Sequence, residues 1–207
     1  MKLEPISGQW LAPFRASPYS LRFELGGETF GNEAPVPRFL QAFGRASQIV
    51  QEVFEGSRQL LGIVAAVPIP AGDLFAPARD GFEALVAAGF TLEPLSEWQA
   101  AMWPDQVEEE DREQCRWRSY DLGTEPLQRD VLLWCAISLE MAVTPKAPVS
   151  SFLADFDRNL LLHVYDDRGM DVIALDREPL LQTYRRRDAW LLDYDRERMR
   201  EAFGEPA

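Results

Sequence analysis

LLLHVYDDRGMDVIAL, residues Leu160 to Leu175, is the stretch whose reading decides the fold. An apolar run from Leu160 to Tyr165 meets a polar break, Asp166, Asp167, Arg168 and Gly169, and a second run follows from Met170 to Leu175. Two β-type runs around a short Asp/Gly break read as a β-hairpin. A bulged loop of three or four residues needs a residue at positive φ, and Gly169 is the residue expected to supply it. Upstream, Val149–Phe156 reads as another strand, joined to the hairpin by a tight turn at Asp157, Arg158 and Asn159. The three runs, 149–156, 160–165 and 170–175, predict an antiparallel meander.

Further elements follow on either side. Residues 1–18 carry Pro5, Pro13 and Pro18 among Trp10 and Phe14 and read as an irregular arm with docking aromatics. LRFELG (Leu21–Gly26) alternates Leu21, Phe23 and Leu25 against Arg22 and Glu24, the pattern of a half-buried strand. Phe39, Phe43, Ala46, Val50 and Val53 recur at steps of three and four, predicting an amphipathic helix over 37–55 that begins near Pro37. Residues 60–67 are almost wholly apolar and predict a buried strand. Asp80 with Glu83, and Ser96 with Gln99, have the spacing of a helix cap and its partner three residues on; the second pair predicts a short helix carrying Trp98 and Met102. QCRWRSYDL (Gln114–Leu122) reads as a strand, edge-like because of its two arginines. Thr124, Glu125 and Pro126 predict the start of a helix, and the apolar run 131–143 its buried body. Pro145 and Pro148 mark a linker. Asp176 is expected to cap a helix over about 177–187, with Leu180, Leu181 and Tyr184 on one face. Asp195 is expected to cap a last helix carrying Met199 and Phe203. The sum is one α+β domain over 1–207, a mostly antiparallel sheet whose C-terminal meander is packed by several helices.

Composition narrows the function classes. The formal charge is -13, a field that repels nucleic acid and anionic membranes and attracts basic partners. It also serves plain solubility. The acidic stretch 104–113, with DQVEEEDRE at its heart, reads as a solvated loop. No apolar run is long enough for a membrane span, and MKLEPISGQW lacks the apolar core of a secretory signal. Cys115 and Cys135 belong to no C-x-x-C pair and read as reduced thiols of a cytoplasmic protein. Lys2 and Lys146 are the two lysines, so few residues suit a catalytic or phosphate-binding lysine. No P-loop, G-x-G-x-x-G or H-E-x-x-H motif occurs, and no cofactor is expected.

Four groups of residues carry the available chemistry. Asp166, Asp167 and Asp171 place three carboxylates around the hairpin loop, the ligand type that magnesium or manganese prefers. Turn chemistry accounts for the same residues, with Asp bonding nearby N–H groups and Arg168 pairing locally. The EF-hand pattern fails. His163 is the sole histidine; it could act as a base near neutral pH, or sit hydrogen-bonded in its strand on the face of Leu161 and Tyr165. Arg22 and Glu24 share the outward face of the first strand, where cross-strand pairing also explains them. In WLLDYDRER (Trp190–Arg198), Asp193 and Asp195 could extend an acidic cluster, whereas a cap and a core Trp190 account for them without one. The basic triplet Arg185–Arg187 suits a helix C-terminus.

HVYDDRGMDVIA (His163–Ala174), Tyr184 and WLLDYDRERMREAF (Trp190–Phe203) resemble the C-terminal signature of a bacterial family of unknown function, DUF3885. SLRFELG (Ser20–Gly26) and RASQIVQEVF (Arg45–Phe54) are similar to its N-terminal part, while 68–148 carries little of the likeness. Met170 stands where the family usually has Cys or Leu. The resemblance marks 149–204 as the signature region, with Tyr165, Asp166, Asp167, Arg168, Gly169, Asp171, Trp190, Asp193 and Asp195 as its positions. It implies no activity. The residues themselves lead to an expectation of an acidic, immunity-like interaction module for a basic protein partner. The rival is a metal-dependent hydrolase built on Asp166, Asp167 and Asp171 with Asp193 or Glu24.

Overall fold

The computed structural model describes residues 10–27, 29–66, 80–102, 114–123 and 125–204. The acidic stretch 104–113 and the expected cap Thr124 lie outside the described residues. Alternating and fully apolar runs become strands: β1 (Ser20–Glu24), β2 (Leu61–Ala66), β3 (Ser96–Ala101), β4 (Gln114–Asp121), β5 (Val149–Asp155), β6 (Leu160–Val164) and β7 (Gly169–Ala174). They form one antiparallel sheet in the order β1-β7-β6-β5-β2-β4-β3. The expected meander is β5-β6-β7, and β1 closes its outer edge with Arg22 directly opposite Asp171.

The helices are α1 (Ala12–Ala16), α2 (Pro35–Val53), α3 (Gly81–Ala87), α4 (Pro126–Ser138), α5 (Glu178–Arg186) and α6 (Arg196–Phe203). Strand alternation divides the apolar residues between the two faces of the sheet. Leu21, Phe23, Val64, Leu162 and Val172 point into the main core beneath α2 to α6. Leu61, Ile63, Trp117, Phe152 and Leu161 point the other way, toward Trp10, Leu11 and Phe14. The arm therefore docks as expected, although Ala12–Ala16 is helical rather than irregular. Pro13 suits the first turn of that helix.

Several local expectations are corrected. Ser96–Ala101 is a strand, not a helix. Its sequence alternates as well as it caps, and pairing decides: Trp98 lies opposite Trp117, their rings stacked 6.0 Å apart, and Ser96 Oγ is 2.6 Å from Ser119 Oγ. β4 is not an edge strand, since β2 and β3 flank it. Its arginines are accommodated by α3 and β3: Arg116 pairs with Asp80 at the cap of α3, Arg118 with Glu97 of β3 at 2.5 Å, and both guanidiniums lie over the Phe82 ring of α3. Asp80 does cap α3, accepting from the Phe82 N–H at 3.0 Å. Asp176 does not cap α5. Arg177 holds that position, and its guanidinium donates to the carbonyls of Ala202, Phe203 and Gly204, closing the C-terminal end of α6.

Gly169 is also corrected. It has no positive φ among the described backbone; Asn159, in the preceding turn, takes that conformation at φ 53°. The hairpin loop closes differently, with the Asp166 carboxylate accepting the Arg168 N–H at 2.7 Å. Gly169 is required for a close approach instead. A Cβ there would lie 2.8 Å from Tyr165 Oη and 2.9 Å from the Phe23 carbonyl oxygen.

Candidate functional site

The hairpin does not gather its three carboxylates. Asp166 is buried and pairs with the Arg168 side chain, Nε at 2.7 Å, while Arg168 also reaches Glu140 at 3.3 Å. Asp167 turns away to Arg38 of α2. Arg38 in turn donates to the Gly27 and Phe30 carbonyls, so this pair ties the hairpin tip to the helix and to the loop after β1. Asp171 projects from the sheet face. Among the described residues no three of His, Cys, Asp and Glu stand close enough to share a metal ion. A shallow 300 Å³ hollow adjoins the tip, lined in part by Asn32, Arg38, Glu140, Asp167 and Arg168.

A larger cavity, 830 Å³, opens on the sheet face covered by the N-terminal turn. Strand pairing builds its wall. Arg22 on β1 grips Asp171 on β7 through Nε at 2.8 Å and Nη2 at 3.0 Å. Arg22 Nη1 also lies 2.8 Å from Asp195 Oδ2, at the end of the 3-10 turn Asp193–Asp195. Asp195 does stand at the N-cap position of α6, but its side chain makes no capping bond. The carboxylate serves Arg22, with Arg198 Nε 3.8 Å away. Arg198 further donates to the Ser20 carbonyl at 3.1 Å. These two carboxylates hold the Arg22 guanidinium well above its ordinary value, the Asp171 bonds most of all. Arg15 and Ser17 come from the N-terminal turn, and Phe14, Phe152, Leu161 and Ile173 supply apolar lining.

His163 and Tyr165 complete the cavity. His163 stacks on Phe152 at 4.2 Å and lies 3.1 Å from Ser150 Oγ through Nε2. Burial pushes its pKa down to about 4, against the pull of Asp171 and Asp166, so the ring is neutral at pH 7. Tyr165 packs over Gly169, and burial reinforced by Asp171 raises its phenol well above the usual range. Burial likewise pushes the Cys135 thiol up to about 11. The cavity thus offers fixed charges, neutral aromatic surface and hydrogen-bonding groups.

Of the residues singled out from sequence, Arg22, Tyr165, Asp171 and Asp195 meet here with His163. Glu24 instead sits opposite Gly169 and lends its carbonyl to Arg45. Trp190 is half-buried at the margin of the main core, where it packs against it with the guanidiniums of Arg45 and Arg187 over its ring. Asp193 is exposed and bonds Arg196 at 2.8 Å. Sequence reasoning missed Arg15, Ser17 and Arg198, which reach the cavity only through tertiary packing. It also missed Tyr194, which lies 91% exposed on the 3-10 turn between Asp193 and Asp195. Its signal was available: Tyr194 falls off the apolar stripe of Met199 and Phe203.

The family model described as "Domain of unknown function (DUF3885)" matches residues 4–195, the loosely resembling middle included. No curated protein and no solved structure matches the chain.

Proposed function

We propose that this chain, which belongs to the DUF3885 family, is a non-enzymatic cytoplasmic interaction module that binds a basic protein partner in the manner of an immunity protein. The observation that carries the reading is Tyr194. Tyrosine is a large amphipathic side chain that gives up little conformational entropy on binding, and it is enriched at interface hot spots. Here it stands almost wholly in solvent on an ordered turn. Exposed carboxylates surround it in sequence: Asp193 at 90%, Glu197 at 78% and Asp188 at 67% side-chain exposure.

These carboxylates bond Arg196 and Arg200, so the local surface is a patterned one. The net charge of -13 supplies the longer-range attraction to a basic surface and disfavours nucleic acid. The titratable groups of the cavity agree with a binding role. Burial keeps His163 and Tyr165 uncharged at pH 7, and Asp171 and Asp195 are engaged by Arg22. No helix among the described residues is long and apolar enough to cross a membrane.

Co-purification of the tagged chain from its native host, at low and moderate salt, tests the reading. A basic protein retained at low salt and released as ionic strength rises is the expected result. No enriched partner at either salt counts against it.

A further inference from the structure

Helix α2 buries Phe39, Ala42, Ala46, Ile49, Val50 and Val53 in the main core. It carries three charged residues, Arg38, Arg45 and Glu52, which stand two turns apart and so share one flank. All three are engaged inside the fold: Arg38 by Asp167, Arg45 by the Glu24 and Leu25 carbonyls, and Glu52 by Arg187 at 3.0 Å. The face turned away from the core, Val36, Leu40, Gly44, Ser47, Gln48 and Gln51, bears no charge, in a chain that is 27% charged. Val36 and Leu40 are 58% and 61% exposed. The neighbouring α4 adds to this surface. Its Trp134 ring lies 6.3 Å from that of Phe43, and Leu127, two turns earlier, is 67% exposed.

Gly44, at the middle of the face, has no evident use within the fold. It lies in the helix interior, where glycine weakens a helix relative to alanine. It has no positive φ, and a Cβ there would meet no atom within 4 Å. Open space over a helix-interior glycine admits the close approach of a second helix.

From this charge-free face centred on an open glycine, we infer that two copies of the chain pair through α2, antiparallel about a two-fold axis at Gly44. A two-fold contact presents one patch to itself. Val36 and Gln51 lie about 12 and about 10 Å from Gly44 along the helix axis, on opposite sides of it. The pairing therefore sets Val36 of one copy beside Gln51 of the other, and Leu40 beside Ser47 and Gln48. Charge selects a second copy as the occupant. Two chains of net charge -13 repel wherever their carboxylates approach, and this face brings none together. A basic partner is drawn to carboxylates, which the face lacks. The face is about 24 Å long and one helix wide, short of the roughly 800 Å² per partner of a standard interface, so the dimer is a micromolar one.

Sedimentation equilibrium of the full chain, from about 1 to about 300 μM at low and at high salt, tests this. The expected result is a monomer–dimer equilibrium that tightens as salt rises, because screening weakens the repulsion between two acidic chains while the contact itself is uncharged. Leu40→Glu should weaken the dimer at least about tenfold by setting a carboxylate into the apolar contact of each copy. Gly44→Leu should weaken it as much while raising the melting temperature of the dilute chain, since the helix gains propensity as the close approach is lost. Under copper-catalysed air oxidation Gly44→Cys should form a disulfide-linked dimer and Gln51→Cys should not, because the axis brings only position 44 against its own copy. The native Cys115 and Cys135 are buried. The inference is overturned by a monomer across the whole range, by association that weakens with salt, by a dimer that Leu40→Glu and Gly44→Leu leave intact, or by Gly44→Cys linking no better than Gln51→Cys.

Discussion

Gly169 shows how one residue sets a wall of the cavity. Its lack of a side chain lets the Tyr165 ring lie against the start of β7, with the Phe23 carbonyl on the neighbouring strand equally close. Gly169→Ala should therefore destabilise by about 1–3 kcal/mol, the cost of overpacking, as measured by urea denaturation. Tyr165→Ala in the same chain should restore part of that loss, because it removes one of the two clashes. The glycine was legible as essential, but the reason was not: a turn signature announces positive φ, whereas a close approach depends on a ring and a strand that sequence does not place. His163 makes a second prediction at this scale. Its folded pKa of about 4 lies below the ordinary 6.5, so the unfolded chain binds the proton more tightly. Its contribution is fully present above pH 6.5 and is lost as pH falls toward 4, by up to about 3 kcal/mol. The difference in stability between the native chain and His163→Gln, followed across that window, should shrink as pH falls; a constant difference would contradict the buried neutral ring.

At the scale of elements, ion pairs divide into those that join parts of the fold and those that decorate it. Asp167 and Arg38 connect the hairpin tip to α2, with side chains only 10% and 14% exposed. Asp167→Ala leaves a largely buried guanidinium without its carboxylate and should cost about 3 kcal/mol. Asp193→Ala, at an exposed pair, should cost about 0.5 kcal/mol or less. Thermal unfolding of the two variants checks the contrast, and similar losses would contradict it. The elements most legible from sequence were those with long regular patterns. α2 was visible because Phe39, Ala46, Val50 and Val53 keep the helical period through its length. The meander was visible because its apolar runs end at strong turn residues. Ser96–Ala101 was misread because four residues can satisfy a helix cap and a strand alternation together, and only the Trp98–Trp117 pairing separates them. The β4 arginines looked like an edge because their cover, α3, comes from a distant segment.

At the scale of the molecule, the described residues form a seven-stranded sheet with two unequal sides. One side carries α2 to α6 over the main core; the other is covered in part by Trp10 and α1 and leaves the cavity. The candidate site could be read only in fragments. Arg22, Asp171 and Asp195 were each notable in sequence, yet their meeting depends on the β1–β7 register and on the 3-10 turn before α6. The acidic balance was plain from composition, but the feature that gives it a focus, Tyr194, emerges only when the fold places the 3-10 turn Asp193–Asp195 at the surface. The most direct measurement is a quantitative comparison of partners retained by the native chain and by Tyr194→Ala, from the native host at low and moderate salt. A basic protein held by the native chain, lost with rising salt and depleted at least about tenfold by Tyr194→Ala while the variant keeps its melting temperature, is the predicted result. A partner retained equally by both chains, or none retained by either, would contradict it.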